Sequence, residues 1–124
     1  MVRRTLCGVI DSSSKHCLLA NDHIIMITLC DITHCDGAQM DFPHIPRRYV
    51  ISNVTLDDYN CFPIPFTLYY NDGEIDENLC YGIRCDIVSK SNEIIYTSHR
   101  FVPVLTNKHP KTNIHIAVGP GDDL

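Results

Sequence analysis

The sequence predicts an all-β protein, folded as a single β-sandwich of about seven to eight short, mostly antiparallel strands. Three observations support this prediction. Short β-prone runs alternate apolar and polar residues with a period of two. Turn-forming residues interrupt these runs about every ten positions. No stretch of about ten residues carries a helical periodicity. This pattern is typical of a sandwich or a small barrel.

Three strands are predicted in the first half of the chain, at residues 2–10, 23–32 and 48–56. The turn-forming residues 11–14 end the first of them. In the second, Ile25, Ile27 and Leu29 share one face, which indicates a strand with a buried side. The third alternates in the same way.

The next predicted strand, at residues 62–70, carries two prolines. Ile64, Phe66 and Leu68 form one face, and Pro63 and Pro65 lie on the other. Proline lacks the N–H that a strand donates to its neighbour. Because the two prolines share a face, their missing donors point the same way. We therefore expect this strand at a sheet edge, with its other side still able to pair.

Turn signals at residues 71–74 and 89–92 separate the remaining strands. Between these turns the residues alternate, with one face formed by Tyr81, Ile83, Cys85 and Ile87 and the other by Gly82, Arg84 and Asp86. A long run at 94–105 is expected to bend or end near Pro103, and residues 113–118 form the last strand. We expect one domain over residues 1–118 and a frayed tail over residues 119–124.

Composition excludes several function classes. The 124 residues suffice for one domain. Ten Lys and Arg against fifteen Asp and Glu give a net charge of −5, which argues against a nucleic-acid partner. No apolar run approaches the roughly 18 residues of a membrane span. The N-terminal residues MVRRTLCGVIDSSSKHC contain no continuous apolar stretch, so we expect no secretory signal, no membrane contact and a cytoplasmic protein.

Seven cysteines are many for a chain of this size. They are Cys7, Cys17, Cys30, Cys35, Cys61, Cys80 and Cys85. No C-x-x-C pair occurs, so neither a zinc ribbon nor a thioredoxin-type motif is supported. We expect reduced thiols in a reducing compartment, with at least one disulfide as the alternative.

Several motifs in the second half resemble one family. Residues 62–71 read FPIPFTLYYN, residues 81–87 read YGIRCDI and residues 103–106 read PVLT, with Ile75-Asp76 between the first two. Together they resemble the YbaY/YscW family of small bacterial lipoproteins, which includes pilotin-type chaperones of type III secretion. The resemblance implies a β-sandwich that binds another protein. The lipidated leader cysteine of that family is absent, so the resemblance does not carry over membrane anchoring.

The matched residues have structural roles in this interpretation. We expect a core that includes Ile64, Phe66, Tyr81, Ile83 and Ile87. Asp76 is expected to accept an Asx-type hydrogen bond in the turn after the proline strand, and Pro103 to end a strand.

Candidate chemistry comes mainly from histidines: His16, His23, His34, His44, His99, His109 and His115. The pairs His16–Cys17 and His34–Cys35 are adjacent, and adjacent residues of a strand point to opposite faces. We therefore expect no metal site. The acidic residues Asp72, Glu74, Asp76 and Glu77 lack the EF-hand spacing and indicate a solvated turn. No nucleophile motif or phosphate-binding glycine loop is present, so we predict no enzyme, no catalytic residues and no cofactor.

The sequence favours a non-enzymatic, protein-binding or chaperone-like module that acts through a sheet face or an edge strand. Its partner is expected to be another protein or a second copy of the chain, and the sequence does not predict which residues bind it. The alternative is a β-domain that binds a small ligand or a metal through a surface rich in His and Cys.

Overall fold

The computed structural model describes residues 2–12, 23–34, 45–59, 61–98 and 100–120. In these residues eight strands form one sheet that curls into a nearly closed barrel. The strands are β1 (Arg3–Ser12), β2 (His23–Asp31), β3 (Val50–Leu56), β4 (Ile64–Asn71), β5 (Tyr81–Ser89), β6 (Ile94–Thr97), β7 (Val102–Val104) and β8 (Ile114–Pro120). Short 3-10 turns span Arg47–Tyr49 and Asp72–Glu74. The prediction of an all-β fold with seven to eight strands is confirmed.

The strand order is β3-β2-β5-β6-β8-β1-β4, and β7 pairs with β5 beside this path. Neighbours are antiparallel except for β1 and β8, which run parallel. The two ends of the path are β3 and β4. The prediction that the proline strand is an edge strand is therefore confirmed.

The core lies inside the barrel and consists of the apolar face of each alternating strand. In β4 the burial pattern alternates strictly, with Ile64, Phe66, Leu68 and Tyr70 buried and the residues between them exposed. All five predicted core residues are buried. Burying one large aliphatic or aromatic side chain contributes about 1.5–3 kcal/mol, so this face accounts for most of the favourable energy of folding.

The run at residues 94–105 forms two strands rather than one. Ser98, Arg100 and Phe101 lie outside the sheet between β6 and β7, and both strands pair with β5. Pro103 lies in the middle of β7, opposite Gly82, so the expectation that it ends a strand is wrong. A proline is tolerated in so short a ladder when its nitrogen faces away from the partner strand.

β8 extends beyond the boundary expected at residue 118. Gly119 and Pro120 belong to the strand and lie opposite Thr97 and Tyr96 of β6. This pairing joins the two halves of the sheet path. Residues 121–124 of the expected tail lie outside the described residues. In the part of the chain that the structure describes, no helix has the length and hydropathy needed to cross a membrane.

Candidate functional site

The open edge of β4 follows from the direction of its backbone groups. In an antiparallel pair, alternate residues point both N–H and C=O at the partner strand. Pro65 pairs with β1 but has no N–H to donate. The N–H of Asp72, which belongs to the alternate set, donates to Val2 O on the β1 side over 2.9 Å. The backbone groups of Pro65, Thr67 and Tyr69 therefore point away from β1.

Beyond this edge lies β3, and we call the gap between the two strands the β3–β4 seam. No backbone ladder joins β3 to β4 within the described ranges. The Ser52 hydroxyl of β3 instead donates to the Tyr69 carbonyl oxygen. This contact independently shows that the Tyr69 carbonyl faces the seam. Since Thr67 has the same backbone direction, its N–H and C=O face the seam as well.

The side chains along the edge form a mixed surface. Pro65, Thr67 and Tyr69 are exposed on the outer face of β4, and Tyr69 is 49% exposed. The guanidinium carbon of Arg3 lies 4.0 Å from the centre of the Tyr69 ring, a cation–π contact. A strand added at this edge would meet an aromatic ring held in place by a neighbouring cation.

A cleft of about 570 Å³ opens at the end of the barrel where β1 begins and β4 ends, and we call it the mouth cleft. Its lining includes Arg4, Tyr70, Asp72, Leu105, Lys108 and Lys111. This cleft was not predicted from the sequence, because its lining comes from two strands and two loops that are distant along the chain. No local motif marks it.

The predicted histidine and cysteine candidates do not assemble. His23, His34, His109 and His115 lie in the described residues, and His23 Nε2 contacts the Tyr59 carbonyl oxygen. In these residues no three His, Cys, Asp or Glu side chains come together as a metal ion requires. The remaining candidates lie outside the described residues: His16, Cys17, Cys35, His44 and His99. The expectation of no metal therefore stays a prediction.

The cysteines differ in burial. Cys30 and Cys85 are fully buried, Cys7 is partly buried, and Cys61 and Cys80 are exposed. Burial raises the pKa of the Cys85 thiol well above its ordinary value, and the neighbouring Asp86 carboxylate raises it further. A protonated, buried thiol is a poor nucleophile. Cys85 therefore behaves as a small core residue.

The acidic residues after β4 make local hydrogen bonds. The Asp72 carboxylate accepts the Val2 N–H at 3.0 Å, and Glu74 Oε1 accepts the Asn71 N–H at 3.3 Å. Asp76 Oδ1 accepts the Asn78 N–H at 2.9 Å, which confirms the predicted Asx-type turn. These contacts support the interpretation of a solvated, self-capped turn.

Comparison with known proteins gives a fold and no family. No protein-family model matches the chain, and no curated protein matches it significantly. A solved structure is similar: an alternative pilotin from the type II secretion system of Vibrio cholerae, with a TM-score of 0.75 and 15% sequence identity. The likeness covers 97% of this chain and 100% of that chain. The protein therefore has a pilotin-like fold, whereas its resemblance to the YbaY/YscW family stays a prediction.

Proposed function

We propose that the protein is a non-enzymatic binding module that takes up an extended segment of another protein along the seam-facing edge of β4, with β3 moving aside and the Ser52–Tyr69 contact being replaced. One observation carries the proposal: the backbone N–H and C=O of Thr67 face the β3–β4 seam. Unpaired strand edges recruit extended peptides through main-chain hydrogen bonds, and side chains on alternate positions supply specificity. A solved protein of the same fold is a pilotin of a secretion system, which is consistent with this role.

The cytoplasm is the proposed compartment. Free thiols at Cys7, Cys80 and Cys85 support it, since reduced cysteines persist in a reducing environment. The net charge of −5 supports a protein rather than a nucleic acid as the partner.

Selection from a displayed library of random ten-residue peptides tests the proposal. Thr67→Pro removes an N–H that faces the seam and leaves the donors to β1 intact, whereas Thr67→Ala keeps the N–H. We expect selected peptides to bind Thr67→Ala like the wild type and Thr67→Pro about tenfold more weakly, with circular dichroism confirming that both fold. A library that yields no binder would contradict the proposal, and so would equal binding by the two variants.

A second measurement does not depend on the folding of a variant. The selected peptide is N-methylated at one backbone position at a time. Strand pairing predicts that binding is lost at every second position, because only alternate N–H groups point at β4. Losses that follow no period of two would contradict edge pairing. Light scattering shows whether the strand comes instead from a second copy of the chain, which would identify a self-association module.

A further inference from the structure

The mouth cleft combines an apolar floor with a charged rim. Tyr70, Ile75 and Leu105 line it and pack against the hydrophobic core. Arg4, Lys108 and Lys111 supply positive charge around them. Its volume of about 570 Å³ is within the range of about 300–1,000 Å³ typical of small-ligand sites, which often occupy the mouths of β-barrels.

The rim is locally positive although the chain is acidic. Two carboxylates, Asp72 and Glu77, also line the cleft. Asp72 is already engaged, because it accepts the Val2 N–H and lies 3.7 Å from Arg4 Nη2. Lys108 and Lys111 have no carboxylate within ion-pair distance among the described residues. These two lysines therefore provide charge that no ion pair within the described residues neutralises.

Tyr70 adds a hydrogen-bond donor at the floor of the cleft. Tyr70 is 7% exposed, and its hydroxyl has no hydrogen-bond partner within the part of the chain that the structure describes. The Tyr70 hydroxyl carries its proton at neutral pH, and burial raises its pKa further above the ordinary value of 10.0, against the opposing effect of Arg4. A bound anion can accept this proton in a hydrogen bond.

The wall that carries the lysines is preorganised. Leu105, Asn107 and Lys108 have left-handed backbone conformations, with φ of 74°, 57° and 66°. Such conformations cost energy in residues other than glycine and persist only where the surroundings hold them. Here the Thr106 hydroxyl donates to the Leu79 carbonyl oxygen over 2.7 Å. The lysine-bearing loop is therefore fixed to the β4–β5 connection before any ligand arrives.

We infer that the mouth cleft binds a monocarboxylate with an apolar body, the carboxylate lying at Lys108 and Lys111 and the apolar part against Tyr70, Ile75 and Leu105. Asp72 and Glu77 would repel a ligand of higher negative charge, which favours a carboxylate over a phosphate. A free organic acid and a protein C-terminus with an apolar last residue share this chemistry. The inference is independent of strand pairing at β4.

Titration followed by amide NMR shifts tests this site with hexanoate and its neutral match hexanamide at constant ionic strength. We expect hexanoate to shift the Lys108 and Lys111 signals saturably and hexanamide to bind about tenfold more weakly. Lys108→Ala combined with Lys111→Ala should weaken hexanoate about tenfold, and Lys90→Ala in the β5–β6 turn should leave it unchanged. No saturable shift, equal binding of hexanamide, or full affinity in the double variant would overturn the inference.

A second pair of probes separates the two sources of the carboxylate. They are the tripeptide acetyl-Ala-Ala-Leu with a free C-terminus and the same tripeptide as its amide. Tighter binding of the free tripeptide than of hexanoate, lost in the amide, supports a protein C-terminus as the ligand. Tighter binding of hexanoate supports a free organic acid. If the amide binds as well as the free tripeptide, the carboxylate does not contribute and the inference fails.

Discussion

Arg84 and Asp86 lie two residues apart on the outer face of β5 and form a buried, bidentate ion pair. Arg84 Nε lies 2.9 Å from one carboxylate oxygen, and Nη2 lies 2.8 Å from the other. The side chains are 4% and 0% exposed. Thr97 of β6 accepts from Arg84 and donates to Asp86, and the Phe101 ring lies 5.4 Å from the guanidinium carbon. The outer face of β5 is therefore buried, as its inner face is.

Removing one partner of this pair is expected to destabilise the protein strongly. Asp86→Ala leaves the Arg84 cation buried, which should reduce the free energy of unfolding by about 3–5 kcal/mol. The exposed pair Arg4–Asp72, with 3.7 Å between its charged atoms, is the matched control. Arg4→Ala there should cost less than about 1 kcal/mol. Urea unfolding measures both, and similar losses from the two variants would contradict this account of Arg84.

A methyl group at Gly8 is expected to disrupt the parallel pairing of β1 and β8. An added Cβ would lie 2.0 Å from the Ile114 carbonyl oxygen, a backbone atom that cannot move without shifting the strand. We expect Gly8→Ala to lower the free energy of unfolding by about 3 kcal/mol or more, or to prevent folding. Thr5→Ala, at an exposed position of the same strand, should change it by less than about 0.5 kcal/mol. Thermal melts that coincide for the two variants would refute the close approach.

The thiols should differ in reactivity. Cys80 is exposed, whereas Cys85 is buried and its pKa is raised, so a brief pulse of N-ethylmaleimide should modify Cys80 and spare Cys85. Peptide mapping by mass spectrometry reads out both sites, and labelling in urea gives the unprotected reference. Comparable labelling of the two thiols in the native protein would contradict this account, because it would show that the core around Cys85 opens readily.

Stability is expected to fall in alkali because of Cys85. The pKa of Cys85 in the folded protein is raised above the ordinary value of 9.0. Below pH 9.0 the thiol is protonated in both the folded and the unfolded protein, so its ionisation does not reduce the free energy of unfolding there. Above that pH the unfolded thiol ionises while the folded one does not, and stability falls by up to about 1.4 kcal/mol per pH unit. The raised pKa of Tyr70 adds a loss of the same sign above pH 10.0. Urea unfolding at a series of pH values should show that the free energy of unfolding of Cys85→Ala falls less steeply above pH 9.0 than that of the wild type, and equal slopes would contradict this account.

The edge strand was predictable from sequence because its evidence is local. Pro65 has no backbone N–H, and the alternation of Ile64, Phe66 and Leu68 indicates which face is buried. The position of Asp76 after the strand similarly predicts its turn. Neither inference needs information about a distant part of the chain.

The burial of β5 and the mouth cleft were not predictable, because both depend on distant residues. Arg84 and Asp86 belong to the polar set of an alternating strand, and their burial depends on residues distant in sequence, among them Phe101 and Thr97. Tyr70 and Lys108 line the same cleft because the loop after β7 lies beside the end of β4. In both places the contacting residues are far apart in the sequence, so no local pattern indicates that they contact one another.

Amide hydrogen exchange at Thr67 and Tyr69, with and without a bound peptide selected from the display library, tests the proposed edge binding most directly. In the free protein we expect both amides to exchange fast while the amides of Phe66 and Leu68, which pair with β1, exchange slowly. The bound peptide should protect Thr67 and Tyr69 and leave the other two unchanged. Protection of Thr67 and Tyr69 already present in the free protein, or bound-state protection confined to other strands, would contradict strand addition at β4.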